Sequence, residues 1–379
     1  TPGLDRDHPM RAVMSHIQQS HVVTVKGAKP CPIRTGMEYA VAGKVPTSYA
    51  NLAEGEGKVI KIGEYGITVK YKDKEVSYPL GMTVGTAEGK RYPHELITDL
   101  KVGDKIKKGE AISYHKGYFE KDTVYPGKLI YKQSVTIPLM FTEGPWVHED
   151  SCVLYEGLAD DLGREVIYKE DITVDFGSSL VNLPKIGAKI APGDIIAVVD
   201  DEIADMGGDT GSTNNTLLDL TRQAVRSENG GYVEKIEVLY NGLLSDMSPS
   251  LKNLAKKSNK MLKQIAKDQG KTPYTGETFG ELRIKGKVIG DNQAVVSIFI
   301  RSSHHLHTGD KFAFSSQLKA TLGHILTKPI VSLSGRKALG MFSFKADAAR
   351  MALSGIEVPI ALSLLRHIPI YVKQQLGKS

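Results

Sequence analysis

The sequence predicts a mixed α/β, β-rich fold, and three observations carry that expectation. Thirty-eight glycines and 17 prolines in 379 residues place turns close together, which suits many short strands better than long helices. Apolar and polar residues alternate through several segments, the pattern of a half-buried strand. Clean helical spacing is confined to a few stretches, the clearest at the N-terminus and around residue 260.

Taken in order, the first element is a helix. Asp7 is placed to cap it, Pro9 falls in its first turn, and Met10, Val13, Met14 and Ile17 recur at helical intervals, leaving Arg11, Ser15 and Gln18 on another face. From about residue 55 to 118 the period becomes two. Ile67, Val69 and Tyr71 alternate with Thr68, Lys70 and Lys72, and Asp73-Lys74 turns the chain into Glu75-Val-Ser-Tyr. A Gly followed by Asp or Glu and then an apolar run occurs in residues 101–113 and again in 186–197, marking tight turns that enter strands. Residues 200–216 are polar and Gly-rich and read as a loop, so Asp205 and Asp209 are loop residues rather than magnesium ligands.

Residues 251–267 form an amphipathic helix, with Leu254, Met261, Leu262 and Ile265 as its stripe and six lysines as a solvated face. Residues 282–289 alternate again, and Ala294 to Ile300 is an almost unbroken apolar run suited to a strand buried on both faces. Shorter helices are expected at 317–326 and 346–353.

Composition bounds the function. With 41% hydrophobic and 24% charged residues the chain is globular, with room for two or three domains. Cys31 and Cys152 are too few for a disulfide framework or a cysteine-based zinc site, so a reducing compartment is expected. The formal net charge of +6 permits an anionic partner without requiring one. No signal pattern opens the chain, and Glu357, Pro359, Arg366, His367 and Pro369 interrupt the late apolar stretch, so a soluble protein without a membrane span is expected. A phosphate-binding P-loop, a Gly-x-Ser-x-Gly elbow and a His-Glu-x-x-His pair are all absent. His304, His305 and His307 lack the further ligands of a zinc site.

Three segments carry more chemistry. Residues 144–151 hold the only Trp beside Glu149 and Asp150; residues 308–319 set Lys311 and Lys319 eight apart; Arg350-Met351 lies in a small-residue helix. Two ammonium groups and a guanidinium brought together make a phosphate-binding surface, each lysine contributing roughly 4 kcal/mol of Coulomb energy at an effective dielectric near 20, before desolvation.

These segments, in this order, resemble the C-terminal half of the β subunit of multisubunit DNA-directed RNA polymerases. Asp7-His-Pro-Met-Arg-Ala-Val-Met-Ser-His-Ile-Gln-Gln looks like the family's segment of an arginine, a methionine and then glutamines. Pro32-Ile-Arg-Thr-Gly-Met-Glu-Tyr-Ala-Val-Ala is similar to its Gly-Thr-Gly-Met-Glu stretch. Pro145-Trp146 with Glu149-Asp150, Gly309-Asp310-Lys311 with Lys319, and Arg350-Met351 follow at familiar distances. The chain departs from the family where Phe314-Ser-Ser-Gln-Leu replaces an Arg-His-Gly-Asn stretch, where residues between Trp146 and Glu149 are shortened to Val147-His148, and where Ser343-Phe344 replaces Asn-Pro. Divergence of this kind, in a chain that starts near the middle of β, is similar to the split-subunit polymerases of giant bacteriophages.

The resemblance implies a hybrid-binding region with a double-psi β-barrel and an inserted flap or wall domain: residues 1–160 as its first part, 161–280 as the insertion and 281–379 as its second part. It implies that Lys311 and Lys319 contact the RNA 3′ end and nearby phosphates, that Arg350 approaches the triphosphate of the incoming nucleotide, and that Arg11 and Gln19 face nucleic acid or a neighbouring subunit. Glu149 and Asp150 would lie near a second Mg2+, through water. The main Mg2+ ligands, an Asn-Ala-Asp-Phe-Asp-Gly-Asp motif, are absent here and belong to the β′-type partner. The expectation is a nucleotidyltransferase subunit, inactive without its β′ partner, that works with an N-terminal β-half subunit, DNA template, RNA transcript and nucleoside triphosphates. Its place is the host cytoplasm or the virion, with no membrane. Two rivals remain at this stage: a non-catalytic β-rich nucleic-acid-binding or assembly protein, and a stand-alone phosphate-handling enzyme.

Overall fold

The computed structural model describes residues 2–87, 89–132, 134–201, 223–278, 283–284, 286–315, 317–350 and 353–377. Asp205 and Asp209 with most of the Gly-rich segment, Leu282 and Met351 lie outside the described residues. The fold is mixed and β-rich, as the turn density and alternation require.

The largest sheet runs in the order Ala50–Leu52, Ala111–His115, Lys90–Ile97, Arg164–Asp175, Gln293–His304, Gly231–Asn241 and Lys189–Ile190, with Gly81–Ala87 also paired to Lys90–Ile97. Its centre is Gln293–His304, antiparallel to Arg164–Asp175 from Arg164↔His304 to Asp175↔Gln293. The unbroken apolar run is buried on both faces, with Ala294, Val295, Val296, Ile298 and Ile300 all at 0% exposure. Its core is shared with Ile172, Val174, Val238, Tyr240 and Leu251.

The amphipathic helix spans Pro249–Asp268, with Ser248 accepting from Leu251 N at 3.4 Å as its N-cap. Of the expected stripe Leu262 is buried, but Leu254, Met261 and Ile265 are only half-buried, and the buried face is completed by Leu251, Ala255, Ser258, Asn259 and Ala266. Small and polar residues let the helix approach the strand Gly231–Asn241. Ser258 Oγ accepts from Val238 N at 3.0 Å, Asn259 Nδ2 donates to Tyr240 Oη at 2.8 Å, and Asn259 Oδ1 accepts from Gly276 N at 2.8 Å. A stripe read from hydropathy alone misses residues buried because they are hydrogen-bonded.

The expected hairpin forms within a smaller sheet of Glu75–Pro79, Gly66–Tyr71, Gly57–Ile62 and Lys105–Ile106. Ile67, Val69 and Tyr71 are buried there, and Tyr71 N donates to Lys74 O at 2.8 Å across the turn. Asp268 ties the helix to this sheet through Lys61 Nζ at 3.0 Å. At Gly66 an added Cβ would lie 2.1 Å from Asp268 O, so only glycine permits the approach.

A third sheet holds Met140–Phe141, Gly340–Phe342, Ser151–Tyr155, Leu318–Leu326 and Lys311–Phe314. The helix expected at 317–326 is therefore a strand. Leu318, Ala320 and Leu322 are buried while Lys319, Thr321 and Gly323 are exposed, a period of two that outweighs the helix-favouring residues.

Both chain ends also correct the sequence reading. The N-terminal helix is Pro9–Ser20, but His8, not Asp7, caps it, accepting from Met10 N at 3.3 Å. Its apolar residues Met10, Val13 and Ile17 face solvent and Ser15 is buried. After a helix at Phe344–Arg350, the late apolar stretch forms one 24-residue helix, Leu353–Leu376, that continues through Pro359 and Pro369. Among the described residues it is the one helix that length and composition would allow to cross a membrane, and 11% of its most apolar window is buried.

Candidate functional site

The site is built on the third sheet, starting from the turn before Lys311. Asp310 Oδ2 accepts from His307 N at 3.0 Å, Asp310 N donates to His307 O at 3.1 Å, and Gly309 supplies φ 93°. The same pair of bonds, with glycine at the same place, closes the turns Lys101–Asp104, Lys107–Glu110 and Ala191–Asp194. Gly-Asp in Gly309-Asp310-Lys311 is thus a recurrent structural device. Here Asp310 is additionally clamped, its Oδ1 accepting from Arg164 Nη2 at 3.0 Å. Burial works to raise its pKa, but the Arg164 hydrogen bond and the His307 N–H outweigh it and hold the carboxyl below the usual range. Leu322 N donates to Asp310 O at 2.8 Å, so the turn is fixed to the next strand.

The hairpin pairs Lys311↔Thr321, Phe312↔Ala320, Ala313↔Lys319 and Phe314↔Leu318. Opposed residues share a face, so Lys311 and Lys319 are diagonal neighbours on one side, roughly 7–8 Å apart at the backbone. Phe312, Phe314, Leu318, Ala320 and Leu322 fill the core on the other side. Both lysines are exposed, and among the described residues neither ammonium has a hydrogen bond or an ion pair.

The strand Ser151–Tyr155 runs parallel to Leu318–Leu326, pairing Cys152↔Leu322 and then Val153↔His324, so Gly323 is an extra residue in the ladder. That bulge brings His324 to the side of Lys319 and Thr321, where simple alternation would bury it. Trp146 stacks on the imidazole, with ring centroids 5.1 Å apart and planes 15° from parallel. Cys152, on the core side, is buried, and burial pushes its thiol up to about 12, so it is inert as a nucleophile.

Asp150 precedes this strand and accepts Thr321 N at its backbone oxygen, 2.8 Å away, which places it beside the residue opposite Lys311. Arg350, from the helix Phe344–Arg350, reaches it: Nη2 donates to Asp150 Oδ2 at 2.7 Å and Nη1 to Ala346 O at 3.2 Å. The fold therefore pairs Arg350 with Asp150 and bonds the backbone of Asp150 to the strand that carries Lys319. Glu149 stands apart: it has φ 49°, is 83% exposed, and lies 3.9 Å from His148 Nε2. Nearby, Glu143 accepts from Lys345 N and Ser343 Oγ, which hold its carboxyl below the usual range.

Arg11 is half-buried and Gln19 exposed on Pro9–Ser20. Just ahead of their helix, Asp7 accepts from Gln317 Nε2 at 2.7 Å and from Ser354 N at 2.8 Å. Asp7 thus caps the C-terminal helix and ties both chain ends to the hairpin turn. The Pro32–Ala42 segment is explained locally: Glu38 accepts from Thr35 N and Gly36 N at 3.1 Å, and Arg34 donates to Tyr39 Oη at 3.2 Å.

Among the described residues no group of three or more His, Cys, Asp or Glu is placed to hold a metal ion. His304 bonds Tyr168 Oη at 2.8 Å, and His305 Nδ1 lies 3.8 Å from Asp160 Oδ1. Asp150 is engaged by Arg350, and Glu149 is exposed beside it. Sequence reasoning missed the Trp146–His324 stack, the Arg164 clamp and the Asp7–Gln317–Ser354 knot. Each joins residues distant in the chain, and only the lone Trp among acids gave a signal. No protein-family model matches the chain and no curated protein matches its sequence, so the likeness to the polymerase β subunit rests on the five segments themselves.

Proposed function

We propose that the chain is a subunit of a multisubunit DNA-directed RNA polymerase, contributing the β side of the active site. The observation that supports this reading best is the pair of exposed lysines on one face of a clamped hairpin, without a partner among the described residues, with Arg350 anchored on Asp150 ahead of the neighbouring strand. Phosphoryl transfer is catalysed mainly by positioning and by cations placed where negative charge develops. Lys311 and Lys319 hold the RNA 3′ end and neighbouring phosphates. Asp150 orients Arg350, whose remaining N–H groups meet the triphosphate of the incoming nucleotide. In this reading the third sheet is part of the double-psi barrel, and the segment 161–280 is the flap or wall.

The aspartates that bind catalytic Mg2+ belong to a β′-type partner, and an N-terminal β-half subunit completes the enzyme. Glu149 and Asp150 would lie near a second Mg2+ and meet it through water. The complex works in the host cytoplasm or travels in the virion. The test is to isolate the tagged chain from its native source, identify the chains that co-purify, and assay template-dependent RNA synthesis. A partner with the aspartate triad, and activity lost in a Lys311→Ala complex, is the expected result. Recovery of the chain alone, or a complex indifferent to Lys311, would remove the catalytic role and favour a non-catalytic nucleic-acid-binding or assembly protein.

A further inference from the structure

We propose that Trp146, backed by His324, is a stacking platform for one base of a single nucleic-acid strand whose phosphates run over Lys319 and Lys311. The inference rests on the nucleic-acid reading of the hairpin and adds a base contact to it.

Three observations carry it. First, the indole is pre-stacked yet open: one face meets the His324 ring at 5.1 Å and 15°, while the residue remains 51% exposed. A single exposed apolar side chain is ordinary on a protein surface. An exposed indole already aligned with a second ring, on the cationic side of a sheet, is the arrangement that single-strand binding uses.

Second, the indole is held on a rigid support. Gly144 N donates to Val147 O at 3.3 Å and Val147 N to Gly144 O at 3.1 Å, closing a tight turn around Trp146. Val147 plugs that turn into a small core with Val153 and Met341. Ser151 Oγ accepts from His148 N at 2.8 Å and donates to His148 O at 2.8 Å, fixing the segment that follows the indole. Little conformational freedom is left to lose when a base arrives.

Third, the bulge at Gly323 sets the geometry. It turns His324 to the lysine side, and a Cβ at Gly323 would lie 3.7 Å from Trp146 O, so the Trp146 turn passes directly over this point of the strand. From Gly323 to Lys319 is four strand residues, roughly 13 Å. At about 3.4 Å of axial rise per nucleotide that length spans about four stacked nucleotides, so one strand reaches both the indole and the lysines.

Trp146 is the chain's only tryptophan, so intrinsic emission reports this site alone. The experiment titrates the full chain, at low salt, with a 12-nucleotide single-stranded RNA and the DNA of the same sequence, reading tryptophan emission and the anisotropy of the labelled strand together. Stacking is expected to quench emission saturably, with the same midpoint as the anisotropy, for both strands, because the base face rather than the 2′-hydroxyl is recognised. Trp146→Ala should weaken binding about 5- to 100-fold, and Trp146→Phe, which keeps a ring, should recover most of it. Lys319→Ala should weaken binding and flatten its salt dependence while leaving quenching at saturation intact. Binding without quenching, equal affinity of the Trp146→Ala chain, or no binding of either strand would overturn the platform. Circular dichroism confirms that each variant is folded, and Trp146→Phe serves if the alanine variant is not. The polymerase reading fails separately: quenching that persists beside RNA synthesis indifferent to Lys311 would leave the platform and remove the catalytic role.

Discussion

Two surfaces of this protein are rich in lysine, and they differ in what surrounds the charge. On Pro249–Asp268 the lysines spread around the outer arc of a helix whose inner face is bolted to a strand by Ser258 and Asn259. They are the solvated side of an element whose energetics lie underneath. On the hairpin there are two lysines rather than six. They share one side of a sheet, the turn that sets them is clamped by Arg164, Trp146 stacks on His324 of the same strand as Lys319, and Arg350 is paired with Asp150 ahead of the neighbouring strand. The difference shows that convergence of different groups, rather than the number of charges, marks a site.

The largest effect expected from this contrast is on chemistry. In the assembled complex, Lys311→Ala or Lys319→Ala should lower RNA synthesis roughly 10²–10³-fold, the loss of one transition-state donor, with the melting temperature unchanged because neither ammonium has a partner among the described residues. A drop in rate that merely follows a drop in stability would break the comparison.

On the helix the cost should lie in the buried face. Asn259→Ala removes bonds to Tyr240 Oη and Gly276 N and should destabilise the chain by about 1–3 kcal/mol in denaturant unfolding. RNA synthesis measured below the new transition should be unaffected.

Asp310→Asn should cost about 1–3 kcal/mol by removing the charge opposite Arg164. Its pH dependence has a definite sign. A carboxyl held below its ordinary pKa contributes stability fully above about pH 4, and loses it as pH falls through the folded value. Between pH 7 and pH 3 the native chain should lose melting temperature more steeply at the acid end than the Asn variant does. Parallel curves would show that the clamp does not stabilise the fold.

The smallest effect sharpens the contrast most. Replacing Lys256, Lys260 and Lys263 together by Ala should change stability by less than about 0.5 kcal/mol, and RNA synthesis by less than threefold, roughly the scale of exposed substitutions. A large loss of synthesis would make the helix a second nucleic-acid surface and undo the distinction.

Much of the fold was legible because burial follows local period. Ile67, Val69 and Tyr71, and the run from Ala294 to Ile300, are strands buried as their patterns require. The reading failed where local preference and burial disagree. Leu318, Ala320 and Leu322 belong to residue types that favour helices, yet they line one face of a strand. Met10, Val13 and Ile17 have the spacing of a buried stripe, yet they face solvent while Ser15 is covered. Within the site, Lys311, Lys319, Asp150 and Arg350 stood out by type and order along the chain. Their engagement did not: Asp150 meets Arg350, while Glu149 lies against its neighbour His148.

Alternation, turn chemistry and residue type are properties of near neighbours, so the chain's own order is enough to set its β-rich class, its Gly-Asp turns and the cations it carries. The side of the sheet on which His324 emerges depends on one bulge against a strand from another part of the chain. The partner of Asp7 depends on where a helix begins near the other end. Such contacts are settled by packing between distant segments, where the free energy of burial and hydrogen bonding is decided after the local elements have formed.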